Sequence, residues 1–168
     1  DDLGWHPTGP LGSIAAAAAV SQVIGLDRER SAMAISLAAS QASGLRQNFG
    51  TMTKPFHAGA AARVGVMSAR LVQSGFTAGQ DALEGRFGFI RAFSGGKEFN
   101  DQLLLDNLGQ KSYLIESGIE IKKYPCCGSA HLALDATFEL LSNGNIDPTT
   151  VDNIQVMVDF DPPRSLIH

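Results

Sequence analysis

Residues 13–20 read Ser-Ile-Ala-Ala-Ala-Ala-Ala-Val, and this alanine-rich stretch decides the fold of the first half of the chain. Alanine has the highest helix propensity, and its short side chain allows a second helix to approach closely. We expect Ser13 to cap a helix that runs to about Ile24, with Gly25 as the left-handed residue that ends it. The first half should therefore consist of helices packed through small residues.

Two further helices are predicted downstream of the first. Asp27 is a suitable N-cap for the second helix, which should end near Gly44. Pro55 stands where proline is best tolerated, in the first turn of a third helix that ends at Gly75. Residues 45–53, between these two helices, are polar and irregular, which is typical of an active-site loop. The predicted apolar face of the third helix consists of Ala60, Val64, Met67 and Leu71.

The sequence changes character between residues 76 and 96, where glycines and aromatic residues mix. We place a domain boundary there, which gives domains of residues 1–95 and 96–168. The second domain should contain a short helix over 100–108, two strands over 119–124 and 151–160, and a helix over 129–141. The core stripe of that last helix should be Leu134, Phe138 and Leu141. Because two strands alone form a marginal sheet, either weaker strands are present or the partners lie in other sequence. The fold class is α+β and mainly helical.

Composition excludes several classes of protein. The 168 residues are 44% hydrophobic and 18% charged, with a formal net charge of -4 and no long basic run, so a nucleic-acid partner is not expected. No apolar run approaches the roughly 20 residues that cross a bilayer, and no signal peptide is recognisable. The only cysteines, Cys126 and Cys127, are adjacent, which argues against a disulfide scaffold and favours a cytoplasmic protein. The chain has no initial methionine, and we expect an internal segment of a longer protein.

Residues 53–59, Thr-Lys-Pro-Phe-His-Ala-Gly, place a lysine and a histidine at the start of the third helix. Unpaired N–H groups at a helix start suit a carboxylate or phosphate, and Lys54 adds a full charge. His57 could donate a hydrogen bond or move a proton. The alternative is a proline-initiated helix with a solvated lysine and a partly buried histidine. His6, in the rigid turn of residues 5–12, is either a held functional histidine or one that satisfies a loop carbonyl.

Residues 122–131, Lys-Lys-Tyr-Pro-Cys-Cys-Gly-Ser-Ala-His, repeat this design. A proline turn opens a helix with His131 in its first turn. A zinc site is not expected, because structural zinc requires four ligands and the cysteine pair with one histidine supplies too few. A catalytic thiol would need a base and an electropositive setting, so the cysteines are better explained as small buried hydrophobes. Together the three elements indicate a small polyanionic substrate and proton-transfer chemistry.

Five ordered motifs resemble the MmgE/PrpD family, and they extend over nearly the whole chain. The motifs are Trp-His-Pro-Thr-Gly at 5–9, Ala-Ala-Ser-Gln-Ala-Ser-Gly-Leu at 38–45, Met-Thr-Lys-Pro-Phe-His-Ala-Gly at 52–59, Gly-Phe-Thr at 75–77 with Leu-Glu-Gly at 83–85, and Lys-x-Tyr-Pro-Cys-Cys at 122–127. The resemblance implies part of an all-α helical domain followed by part of an α+β lid domain. It also implies a homodimer and no metal or organic cofactor.

The resemblance further implies a hydro-lyase that acts on a small di- or tricarboxylate, similar to 2-methylcitrate dehydratase, by proton abstraction next to a carboxylate. A decarboxylase or an epimerase of the same family is the alternative, as is a truncated, non-catalytic carboxylate-binding fragment. The catalytic residues implied are His6, Lys54 and Lys122, with Lys123 as an alternative to Lys122. The substrate-binding residues implied are His57, Tyr124 and His131.

Overall fold

The computed structural model describes residues 3–98, 100, 102–106, 108–110, 112–144 and 146–158. The chain divides into two compact units, Asp1–Asp106 and Asn107–His168. The domain boundary near residue 95 stays a prediction. Within the described residues the chain is mainly helical, as predicted, and none of the helices there is both long and apolar enough to cross a membrane.

The first unit is built on three long helices. Its helices are α1 (Thr8–Val23), α2 (Arg28–Ala39), α3 (Thr53–Gln73), α4 (Phe89–Phe93) and α5 (Gln102–Leu105). A 3-10 turn, Arg46–Asn48, lies between α2 and α3. Helices α1, α2 and α3 all pack against one another, and the contact between α1 and α3 is the most extensive of the three.

Small residues make this packing possible, as the alanine run predicts. Ala17, Ala34, Ala38 and Ala69 are completely buried. A Cβ atom added to Gly65 of α3 would lie only 2.3 Å from the Cβ of Ala16 in α1. The two helices therefore touch almost backbone to backbone, and their interface has no room for larger side chains.

Capping residues, glycines and a proline close to the helix ends account for several of the observed ends. The Oδ1 atom of Asp27 accepts a hydrogen bond from the N–H of Arg30 at 2.8 Å, which confirms the predicted cap of α2. Gly25 and Gly75 have φ angles of +71° and +96°, as expected for residues that end a helix. Pro55 lies in the first turn of α3, also as predicted.

Two predicted ends were wrong. Ser13 is not an N-cap, because α1 begins five residues earlier, at Thr8, and the Ser13 hydroxyl donates to the carbonyl of Gly9 at 2.9 Å. The early start is compatible with Pro10, since the first turn requires no N–H partner there. Helix α2 ends at Ala39 rather than near Gly44, because the N–H groups of Gln41 and Ala42 bond three residues back and tighten the chain into turns.

The predicted apolar face of α3 is only partly right. Val64 is buried, but Met67 and Leu71 are each 37% exposed. The buried positions instead include Ala61, Gly65, Ser68, Ala69 and Val72. The face is rotated because the close approach of α1 selects small residues over large apolar ones.

The second unit contains α6 (Tyr113–Glu116) and α7 (His131–Asn143), with 3-10 turns at Gly128–Ala130 and Pro148–Thr150. The predicted helix over 129–141 is confirmed within a few residues. Its predicted core stripe is not a core in this unit, since Phe138 is 53% exposed and Leu141 is 37% exposed.

The two predicted strands are not formed in the described residues. Residues 119–124 and 151–158 have no strand pairing, and residues 159–160 of the second prediction lie outside the described residues. A strand requires a hydrogen-bonded partner, and no described segment pairs with either stretch. The α+β part of the predicted fold class is therefore not confirmed.

Candidate functional site

The segment that carries His6 is tied to the loop that precedes α3. Trp5 and Leu45 form an isolated antiparallel bridge. The N–H of His6 donates to the carbonyl of Gly44 at 3.0 Å, and the N–H of Arg46 donates to the carbonyl of Gly4 at 2.9 Å. His6 is consequently fixed beside the loop that leads into the first turn of α3.

His6 and His57 contact each other through their ring nitrogens. Their Nδ1 atoms lie 2.9 Å apart, and the ring centroids are separated by 5.1 Å. His57 is buried, with 7% of its surface exposed, whereas His6 is partly exposed. The structure therefore joins two histidines that are 51 positions apart in the sequence and that were predicted as separate candidates.

Gly44 lies against both histidines. Its carbonyl accepts the hydrogen bond from the His6 main chain, and a Cβ atom added to it would lie 3.4 Å from Cγ of His57. Its φ angle of +134° is one that residues with side chains rarely adopt. A glycine at this position therefore permits the loop conformation and leaves space for the buried imidazole.

The Phe49 ring lies close to His6 and to two cationic side chains, Lys54 and Arg46. The His6 ring meets it edge-on at a centroid distance of 4.7 Å, and Nζ of Lys54 lies 4.2 Å from its centroid. Cζ of Arg46 lies 5.8 Å from the same centroid. Cation–π attraction thus holds two positive charges close to His6.

These surroundings lower the pKa of His6 below its ordinary value. Burial is the largest cause, followed by positive charge on His57, Lys54 and Arg46. Each of these effects disfavours the imidazolium form. His6 is therefore neutral near pH 7, in the state that can accept a proton from a substrate.

A cavity of about 390 Å³ in the first unit borders His57, and its described lining residues do not include His6, Lys54 or Arg46. Its lining includes Gln41, Asn48, Phe56, His57 and Arg63. This volume is at the lower end of the range of about 300–1,000 Å³ that is usual for small-molecule sites. The wall combines amide groups with one guanidinium, which suits a small ligand with several oxygen atoms.

In the second unit, Asp135 of α7 organises the predicted lysine–tyrosine element. Its Oδ1 atom accepts hydrogen bonds from Nζ of Lys123 at 2.5 Å and from the Tyr124 hydroxyl at 2.6 Å. The bond from Lys123 is the main cause that lowers the pKa of the Asp135 carboxyl, and the bond to Asp135 is the main cause that raises the pKa of Tyr124. His131 meets the Tyr124 ring edge-on at 5.2 Å.

Lys123, rather than Lys122, contacts Tyr124 and Asp135. Its Nζ atom lies 5.3 Å from the Tyr124 ring centroid, although both lysines are exposed. Lys122 was preferred because a strand would place it on the same face as Tyr124, and residues 119–124 form no strand. Which lysine meets a substrate stays a prediction.

Each of the two cysteines has a described contact with a residue close to it in the sequence. Sγ of Cys126 lies 3.6 Å from the carbonyl oxygen of Cys127, and Sγ of Cys127 lies 3.7 Å from the Ser129 hydroxyl. In the described part of the chain, no group of three or more His, Cys, Asp and Glu residues could hold a metal ion.

Three contributors to these sites were not predicted individually: Arg46, Phe49 and Asp135. Arg46 and Phe49 belong to residues 45–53, the loop that the sequence predicts to be part of an active site. Asp135 could have been found from its spacing, since it follows His131 by four positions and so lies on the same face of α7.

Residues 1–102 match the family model described as the MmgE/PrpD N-terminal domain. The chain is 32% identical over 139 residues to a cis-aconitate decarboxylase of Aspergillus terreus, covering 79% of this chain and 28% of that protein. It is 29% identical over 133 residues to the cis-aconitate decarboxylase of Homo sapiens, covering 79% of this chain and 27% of the human protein. The chain thus spans less than a third of the length of the curated relatives it matches.

Proposed function

The chain belongs to the MmgE/PrpD family, and on that premise we propose that the whole protein is a cofactor-independent lyase acting on a small di- or tricarboxylate. One observation carries the proposal: a partly exposed histidine, His6, lies beside a buried histidine and two cationic side chains. The names of the relatives favour decarboxylation of cis-aconitate as the first reaction to test.

Lys54 and Arg46 are the proposed carboxylate ligands. Both lie against the Phe49 ring, which His6 also contacts. The first turn of α3 adds a partial positive charge, but its N–H groups are already bonded: that of Thr53 to the Thr51 hydroxyl and that of Lys54 to the Thr51 carbonyl. Negative charge grows on a carboxylate or its conjugated system when an adjacent carbon loses CO₂ or a proton. Fixed cationic groups stabilise such charge more strongly in the transition state than in the substrate.

His6 is the proposed acid or base. In decarboxylation, the bond between a carboxylate and its carbon breaks, CO₂ leaves, and the electron pair that remains must take up a proton. His6, after it has taken up a proton from solvent, can supply that proton through the nitrogen that does not contact His57. In dehydration of 2-methylcitrate, which the motif order also supports, neutral His6 would instead remove a proton next to a carboxylate while the hydroxyl group leaves.

The second unit offers a separate set of proposed carboxylate-binding groups, Lys122 or Lys123 with Tyr124 and His131. We propose that this unit is part of an α+β lid domain whose strands pair with other segments of the whole protein. The family resemblance supports a homodimer, and the adjacent cysteines favour the cytoplasm.

A substrate screen tests the proposal. The whole protein should be incubated with cis-aconitate, 2-methylcitrate and iminodisuccinate, and the products followed by NMR. Release of CO₂ identifies a decarboxylase, loss of water identifies a hydro-lyase, and inversion without change of mass identifies an epimerase. Carboxylate binding without turnover of any of the three would contradict the lyase and favour the non-catalytic alternative.

A further inference from the structure

His57 was expected to bind substrate, but its surroundings indicate another role. The residue is 7% exposed, its ring packs against Gly44, and its Nδ1 atom is already engaged by Nδ1 of His6. His57 also lines the cavity in the first unit. The polar contact described for its ring is the one with His6.

A hydrogen bond between two Nδ1 atoms requires one donor and one acceptor. If His57 donated, His6 could not take up a proton without breaking the bond, because both nitrogens of an imidazolium carry hydrogen. If His6 donates, the bond persists in both protonation states of His6. The second arrangement leaves Nε2 of neutral His6 with a free lone pair.

Burial favours the same arrangement. His57 is 7% exposed, whereas His6 is partly exposed, so His6 is the member of the pair that can exchange protons with a substrate. An Nδ1 atom that accepts this bond carries no hydrogen, so His57 can be the acceptor in both protonation states of His6. A neutral histidine with hydrogen on Nε2 presents its Nδ1 lone pair as an acceptor.

Resting on the function proposed above, we propose that His57 is a positioning residue, which accepts a hydrogen bond from Nδ1 of His6 and so makes Nε2 of His6 the nitrogen that exchanges protons with the substrate. The buried acceptor fixes both the tautomer and the ring orientation of His6, in the way that partners of a functional histidine generally do.

Two substitutions at the same position separate this role from simple packing. His57→Asn keeps a polar atom as many bonds from Cα as Nδ1 is, whereas His57→Leu places a methyl group there. Long-range ¹H–¹⁵N NMR of the labelled protein distinguishes a protonated ring nitrogen from one with a lone pair. A His6→Gln variant assigns the His6 signals.

The expected result is that His6 carries its neutral-state proton on Nδ1 in the wild type and in His57→Asn, and loses that preference in His57→Leu. An unchanged His6 tautomer in a folded His57→Leu variant would overturn the proposal. So would a wild-type tautomer with the proton on Nε2. These readouts need no turnover, so they stand even if the proposed reaction is wrong.

Turnover of the whole protein supplies a second criterion. His57→Leu should lower kcat by about tenfold or more without raising KM, since positioned acid–base catalysis contributes about 10²–10⁴-fold. His57→Asn should recover part of the loss. A raised KM with kcat unchanged would show instead that His57 binds substrate.

Discussion

Replacement of Gly65 by alanine should force α1 and α3 apart. The added Cβ atom would lie 2.3 Å from Cβ of Ala16 and 2.6 Å from the backbone nitrogen of Ala17. Carbon atoms normally approach to about 3.5–4.0 Å, so the helices must separate by more than about 1 Å or bend. His6 precedes α1 and His57 lies in α3, so the same movement should disturb their contact.

The expected size of the effect follows from two opposing terms. Overpacking of a close interface costs about 1–3 kcal/mol, and alanine is favoured over glycine in a helix by about 1 kcal/mol. Gly65→Ala should therefore destabilise the first unit by up to about 2 kcal/mol. Gly59 is the matched control: it lies in the same helix, and a Cβ atom there would meet nothing within 4 Å. Gly59→Ala should be neutral or stabilising by up to about 1 kcal/mol.

Urea unfolding followed by fluorescence measures this difference. Trp5 is the single tryptophan of the chain and belongs to the first unit, so its emission reports that unit alone. Gly65→Ala should have the lower midpoint, with Gly59→Ala at or above wild type. Equal stability of the two variants, or a more stable Gly65→Ala, would refute the close α1–α3 contact.

Two further predictions concern titration. The pKa of His6 in the folded chain lies below its ordinary value of 6.5, so the unfolded chain binds more protons than the folded chain between these two pKa values. The stability that His6 contributes is therefore complete above about pH 6.5 and is lost as the pH falls. Urea unfolding of His6→Gln should thus show a weaker loss of stability between pH 7 and pH 5; an identical pH dependence would contradict it. In the second unit, Asp135→Asn should move the pKa of Tyr124 down toward its ordinary value, because the carboxylate that holds the phenol proton is gone. Ultraviolet titration with the other tyrosine replaced by phenylalanine measures this, and an unshifted phenol would show that the hydrogen bond does not form in solution.

The helices of the first unit could be predicted because their signals are local. Asp27 caps α2 through a bond three residues away, and Gly25 and Gly75 end their helices through their own backbone conformations. Such signals do not depend on distant parts of the chain. The buried face of α3 does, and it was predicted wrongly: close contact with α1 favours small residues, while Met67 and Leu71 stay partly exposed.

The two predicted strands, unlike the helix ends, depend on distant parts of the chain. Residues 119–124 alternate in the manner of a strand, yet a strand forms only when a partner supplies hydrogen bonds. The described part of the chain supplies none to this stretch or to residues 151–158. Alternation of apolar and polar residues therefore indicates only a tendency to form a strand, and the strand forms where a partner segment pairs with it.

The sequence predicted residues of the candidate site but not the contacts between them. One motif identified His6 and another identified Lys54 together with His57, and no spacing rule connects His6 with His57, 51 residues away. The contact arises because the bridge at Trp5 and Leu45 fastens the start of the chain to the loop before α3. This long-range pairing brings the two separately predicted elements together in one site.

Turnover by a Lys54→Ala variant of the whole protein tests the central claim most directly. Arg70→Ala is the matched control, since Arg70 is an exposed cation of the same helix that bonds Gln73 instead. With cis-aconitate as substrate and CO₂ release as the signal, Arg70→Ala should retain wild-type kcat/KM. Lys54→Ala should lose about 10²-fold or more, the usual effect of removing one charge-stabilising group. Undiminished turnover in Lys54→Ala would contradict the account.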